Sequence, residues 1–93
     1  MKYKRYLQRI LDIALKNQTE HTFGKGSFIK ISNITYIRSK KSYLVNVTLY
    51  FDDIENGMEL YPDGLELIVK AGWDVIGDKT PIIIQSSVDV IPQ

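Results

Sequence analysis

Gly57-Met58-Glu59-Leu60-Tyr61-Pro62-Asp63-Gly64-Leu65-Glu66-Leu67-Ile68-Val69-Lys70-Ala71-Gly72-Trp73-Asp74-Val75-Ile76 is the stretch on which the fold turns. It supports two readings. Leu65, Ile68, Val69 and Trp73 fall on one face of a helix whose first turn holds Pro62. Alternatively, Met58 and Leu60 alternate before a turn, and Leu65, Leu67 and Val69 alternate after it. Tyr61-Pro62-Asp63-Gly64-Leu65 suits that turn, because Pro pre-sets φ and Gly accepts a positive φ. Glycine inside a helix costs about 1 kcal/mol relative to Ala. Gly64 and Gly72 both fall here, among β-branched residues, so strands are the favoured expectation. Ala71-Gly72 then interrupts a strand that Trp73-Asp74-Val75-Ile76 resumes.

The flanking segments are clearer. Tyr3, Leu7, Ile10, Leu11 and Ala14 have the spacing of one apolar helix face, which predicts a helix over 3–17. A polar linker, 18–27, follows and includes Gly24-Lys25-Gly26-Ser27. From Phe28 the period changes to two. Residues 28–38 and 43–51 read as a hairpin joined by Ser39-Lys40-Lys41-Ser42, with Asn33 marking a bulge. Gly77-Asp78-Lys79-Thr80-Pro81 is another turn, and 82–91 is a last strand ended by Pro92. The expectation is a single domain over 1–93, β-rich from 28 to 91. It is mainly β with an N-terminal helix: a small, strongly bent, five-stranded antiparallel sheet or barrel. The alternative is an α+β fold with a second helix at 63–75.

Composition narrows the function classes. The chain has 93 residues and no cysteine, which removes disulfides, thiol nucleophiles and cysteine-ligated zinc. That suits a reducing, cytoplasmic setting. The basic start, Met-Lys-Tyr-Lys-Arg, is followed by an amphipathic segment rather than an apolar one, unlike a signal peptide. No apolar run approaches the ~20 residues of a membrane span. The Asn-x-Thr triplets at Asn17, Asn33 and Asn46 therefore read as chance.

The net charge of +1 conceals a division. Residues 1–46 carry ten Lys/Arg against two acids; residues 47–93 carry two lysines against nine acids. Halves of opposite sign suit a polyanion, a basic partner or head-to-tail assembly. Arg38, Lys40 and Lys41 cluster at the hairpin tip, with Tyr36 and Tyr43 on its stems. Basic groups neutralise phosphates and flanking aromatics stack bases; a solvated turn is the plainer reading. Lys2, Lys4, Arg5 and Arg9 read as the wet face of the first helix. Asp52, Asp53, Glu55, Asn56 and Glu59 form an acidic loop with no metal-site spacing. His21, the lone histidine, falls in the linker, so no catalytic triad is expected. No cofactor is expected, and Trp73 reads as core or interface.

Two stretches carry a resemblance. Phe51-Asp52-Asp53-Ile54-Glu55-Asn56 is similar to the Phe-Asp…Asn stretch of Sm/LSm-like proteins, with the Asn one position later and Ile54 where an aromatic is usual. Leu67-Ile68-Val69-Lys70-Ala71-Gly72-Trp73 resembles their apolar strand ending in Arg-Gly, with Lys for Arg and Ala71 inserted. Lysine outnumbers arginine nine to three and isoleucine occurs thirteen times, a composition similar to Sm-like proteins of marine phages. The resemblance implies a homo-oligomeric ring, built by edge-strand pairing, that binds single-stranded RNA or DNA. It adds Asn56 as a base contact and brings Lys70 and Gly72 to the site. The expected function is a non-enzymatic nucleic-acid-binding module that partners itself. The alternative is a structural or assembly protein, such as a phage particle component, whose opposite charges serve subunit contacts.

Overall fold

The structure is a computed structural model that describes residues 2–51 and 58–91. Helix α1 spans Lys2–Phe23. Strands β1 (Phe28–Ile37) and β2 (Ser42–Phe51) follow, joined by one 3-10 turn at Arg38–Lys40. Helix α2 spans Asp63–Ile76, and strand β3 spans Ile82–Val90. The sheet has three strands in the order β1-β2-β3. The first pair is antiparallel and the second parallel.

The five-stranded antiparallel barrel is thus corrected to an α+β fold, and the helix reading of 63–75 prevails. Leu65, Ile68, Val69, Gly72 and Trp73 form its buried face. Asp63 and Glu66 lie in the first turn, where acidic groups favour the helix dipole. Gly77 ends the helix at φ 83, donating its N–H to the Asp74 carbonyl. The glycine penalty that favoured strands is offset by packing. A Cβ on Gly72 would lie 3.1 Å from Leu15 Cδ2 and 3.2 Å from Leu11 Cδ1. Only a glycine lets α1 and α2 cross this closely without displacing those side chains.

Helix α1 also runs past Asn17, through half of the expected linker, to Phe23. Leu7, Leu11, Leu15, Thr19 and Phe23 continue one buried stripe at four-residue intervals. The Thr19 hydroxyl is accommodated there because it donates to the Leu15 carbonyl at 2.8 Å. The chain leaves the helix at Gly24, with φ 105. The expected hairpin is present, and its register shifts between Ile31 and Asn33, where the bulge was expected.

Alternation on β2 gives the sheet two unlike faces. Val45, Val47, Leu49 and Phe51 are buried, and with Ile31 and Ile34 they join the helix stripes in one core. The other face carries Lys30, Asn33, Asn46, Thr48, Gln85 and Ser87, which are half-buried or exposed. Among the described residues no helix covers it.

Candidate nucleic-acid interface

Arg38, Lys40 and Lys41 are exposed at the β1–β2 turn. Lys41 has φ 49, a left-handed conformation more usual for Gly or Asn. Its N–H donates to the Arg38 carbonyl at 3.2 Å, closing the turn. A lysine here costs some backbone strain and places a third cation on the tip.

Below the turn the rings stack inward. Tyr36 and Tyr43 meet edge-on at 5.2 Å between centroids, and Tyr43 meets Trp73 at 5.5 Å. Trp73 is buried, and its indole N–H donates to the Thr80 carbonyl at 3.1 Å. The expectation of a core tryptophan holds. Tyr43 is half-buried between these rings. It is therefore the base of the cluster, and its neighbour Tyr36, 43% exposed, presents a free ring. The Tyr43 N–H donates to the Pro81 carbonyl at 2.9 Å, so the start of β3 lies at the same end.

The first turns of α1 arrive there too. Tyr3 donates its hydroxyl to Asp78 Oδ2 at 2.7 Å. This hydrogen bond, with desolvation and the nearby charge of Asp78, pushes the Tyr3 phenol up to about 12. The same bond, with one from the Thr80 N–H at 2.9 Å, holds the Asp78 carboxyl below the usual carboxylate range. Tyr3 and Tyr6 remain more than half exposed, flanked in the chain by Lys4 and Arg5. Sequence reasoning missed these two rings. By spacing Tyr3 falls on the apolar helix face, and the signal that points elsewhere is a Tyr pair three residues apart among Lys4, Arg5 and Arg9.

Lys70, with Lys79, lines a shallow cleft of about 300 Å³ that also touches Trp73, Asp74, Asp78, Thr80, Pro81 and Ile82. One pole of the molecule therefore collects Arg38, Lys40, Lys41, Lys70 and Lys79, with Lys4 and Arg5 on the adjoining turn of α1. Asp74 and Asp78 are the acids among them. Gly72 does not belong to this surface: it is buried against Leu11 and Leu15, and its role as a binding residue is corrected to helix packing. Asn56, and most of the acidic loop around it, lie outside the described residues.

The other candidate surfaces have a different chemistry. A groove of about 530 Å³ between α1 and β1 is lined by Asp12, Glu20, Lys16 and Lys30, a mixed set without convergence. On the open sheet face, Asn33, Asn46 and Gln85 stand opposite one another across the three strands. Phe28 and Tyr50 stack there at 4.6 Å, about 30 Å along the hairpin from the basic turn. Among the described residues no cluster of His, Asp and Glu could hold a metal ion, and no helix is long and apolar enough to cross a membrane.

No protein-family model, curated protein or solved structure matches this chain. The resemblance to Sm-like proteins thus rests on its two stretches alone. The first extends beyond the described residues, and the second folds as α2 rather than as a strand.

Proposed function

We propose that this chain is a non-enzymatic module that binds single-stranded nucleic acid at its basic, aromatic pole. The observation that carries the reading is convergence. Exposed Tyr3, bonded to Asp78, and exposed Tyr36, against Tyr43, lie at the end of the sheet where the turn carries Arg38, Lys40 and Lys41. Lys41 is in a left-handed position there, and Tyr6 lies one helical turn beyond Tyr3. Cations neutralise phosphates, and exposed rings stack bases without regard to sequence. Arg38, Lys40 and Lys41 meet the backbone, with Lys70 at the margin. Tyr36, Tyr3 and Tyr6 meet bases, and Tyr43 supports Tyr36 from below.

The test is fluorescence anisotropy of a labelled single-stranded oligonucleotide. Binding at low salt that weakens steeply at moderate salt is the expected result. Lys40→Glu/Lys41→Glu abolishes it, and Tyr36→Ala weakens it by about 1 kcal/mol or more. A folded protein that binds no oligonucleotide at low salt refutes the reading. A second reading is an assembly protein whose oppositely charged halves serve subunit contacts. There the double charge reversal would reduce the solution mass instead.

A further inference from the structure

The two edges of the sheet are protected unequally. β1 carries a bulge at Ser32 and a charge at Lys30 within the strand, and α1 lies along it. Gln8 of α1 donates to the Ile31 carbonyl at 2.8 Å, taking up an acceptor at the bulge. These are the devices by which edge strands resist pairing with other chains. Among the described residues β3 has a single polar cap: the Tyr61 hydroxyl donates to the Ser86 carbonyl at 3.2 Å and lies equally close to Ser86 Oγ. Ile82–Val90 has no proline, lysine or bulge, its one charge is Asp89, and α2 covers it thinly. Ile82, Ile84 and Val88 stay half-buried, and Val90 is 53% exposed.

The ladder with β2 fixes which backbone groups are free. Tyr43 donates to the Pro81 carbonyl and Ile91 donates to the Phe51 carbonyl. In a parallel pair, alternate residues bond to the same neighbour. Ile83, Gln85, Ser87 and Asp89 therefore bond to β2. The N–H and C=O groups of Ile82, Ile84, Ser86, Val88 and Val90 point away from the sheet; of these, the Ser86 carbonyl accepts from the Tyr61 hydroxyl and the Val90 N–H donates to Asp89 Oδ1 at 2.8 Å. Those same five residues carry their side chains on the core side, and their order is symmetric: apolar, apolar, Ser, apolar, apolar.

We propose that β3 pairs antiparallel with β3 of a second copy about a two-fold axis at Ser86, joining two three-stranded sheets into one of six. In this register Ile82 faces Val90 of the other copy, Ile84 faces Val88, and Ser86 faces Ser86. On the open side Gln85 faces Ser87, and Ile83 faces Asp89, so no like charges oppose each other. The outward groups of Ile82, Ile84 and Val88 and the Ser86 N–H gain partners. The Ser86 carbonyl accepts a second hydrogen bond beside that of Tyr61, and the Val90 N–H exchanges Asp89 for the other strand. Each apolar core-side residue meets an apolar one. An isologous contact needs this self-complementarity. The two basic poles then lie at opposite ends of the joined sheet. The inference is independent of what those poles bind.

Sedimentation equilibrium of the unaltered chain gives the first answer. A dimer mass supports the proposal; a monomer at about 100 μM, or a larger ring, overturns it. Ser86→Cys gives the second. Facing residues in a hydrogen-bonded antiparallel pair have Cα atoms about 5.5 Å apart, within the range a disulfide spans. The chain has no other cysteine, so mild oxidation should convert most of this variant to a covalent dimer on a non-reducing gel. Gln85→Cys, whose side chain leaves the opposite face and stands across from Ser87, should remain uncrosslinked. Ser86→Pro removes one outward N–H that β2 does not use. It should lower the mass to that of a monomer with an unchanged circular dichroism spectrum. A dimer in which Ser86→Cys fails to crosslink while Gln85→Cys succeeds overturns the register and the proposal with it.

Discussion

The two faces of the sheet share a backbone and differ in almost everything else. On the covered face Val45, Val47, Leu49 and Phe51 are at most 2% exposed, and two helices complete the core. On the open face the same strand shows Leu44, Asn46, Thr48 and Tyr50, all half-buried by their neighbours alone. The difference shows where stability resides. One face is held by packing that admits no change of volume; the other is held by cross-strand pairs that tolerate it.

The largest effect should come from emptying the covered face. Phe51 is fully buried and meets Phe23 at 5.5 Å. Phe51→Ala should lower unfolding free energy by about 3–5 kcal/mol in urea titration. Overfilling the same layer is the next test. Gly72→Leu drives a side chain into Leu11 and Leu15, which are themselves buried. Overpacking of this kind costs about 1–3 kcal/mol, and the variant should also lose the near-ultraviolet signal of Trp73. On the open face Thr48→Val removes a hydroxyl that meets Ser87 Oγ at 3.0 Å. An exposed pair of this kind should change stability by no more than about 1 kcal/mol.

The smallest effect belongs to the end of the sheet, where Tyr3 and Asp78 meet at the surface. Asp78 titrates lower folded than unfolded, so its contribution is present above its ordinary pKa and is lost as pH falls through the depressed value. Tyr3 titrates higher folded, so its contribution is full below 10 and is lost as pH rises toward about 12. Tyr3→Phe should flatten the acid limb of the stability curve and move the Asp78 carboxyl up toward its ordinary range, as read by NMR titration.

Local pattern accounts for what was legible. α1, the hairpin, its bulge and the position of β3 each follow from periodicity and turn residues within a short window. α2 was obscured because two periods overlap in it. Leu65, Leu67 and Val69 alternate, while Leu65, Ile68, Val69 and Trp73 follow the helical repeat, and Leu67 proves to be 71% exposed. Gly72 argued for strands until the helix it touches was in view, since a close crossing is a property of two segments. The parallel pairing of β3 was hidden for the same reason. Of the candidate site, the cationic turn could be read directly from Arg38, Lys40 and Lys41. The contribution of Tyr3 could not, because its partner Asp78 is 75 residues away.

The unequal span of the two ladders has a kinetic consequence. Ile37 and Ser42 pair across five residues, whereas every β2–β3 pair is separated by 39. Closing the longer loop carries the larger entropic cost, so the hairpin can zip early and β3 docks late. Until it docks, the far side of β2 is an unsatisfied ladder in the middle of a hydrophobic strand. The rate at which α2 swings β3 into place therefore sets how long each newly made chain is open to the wrong neighbour.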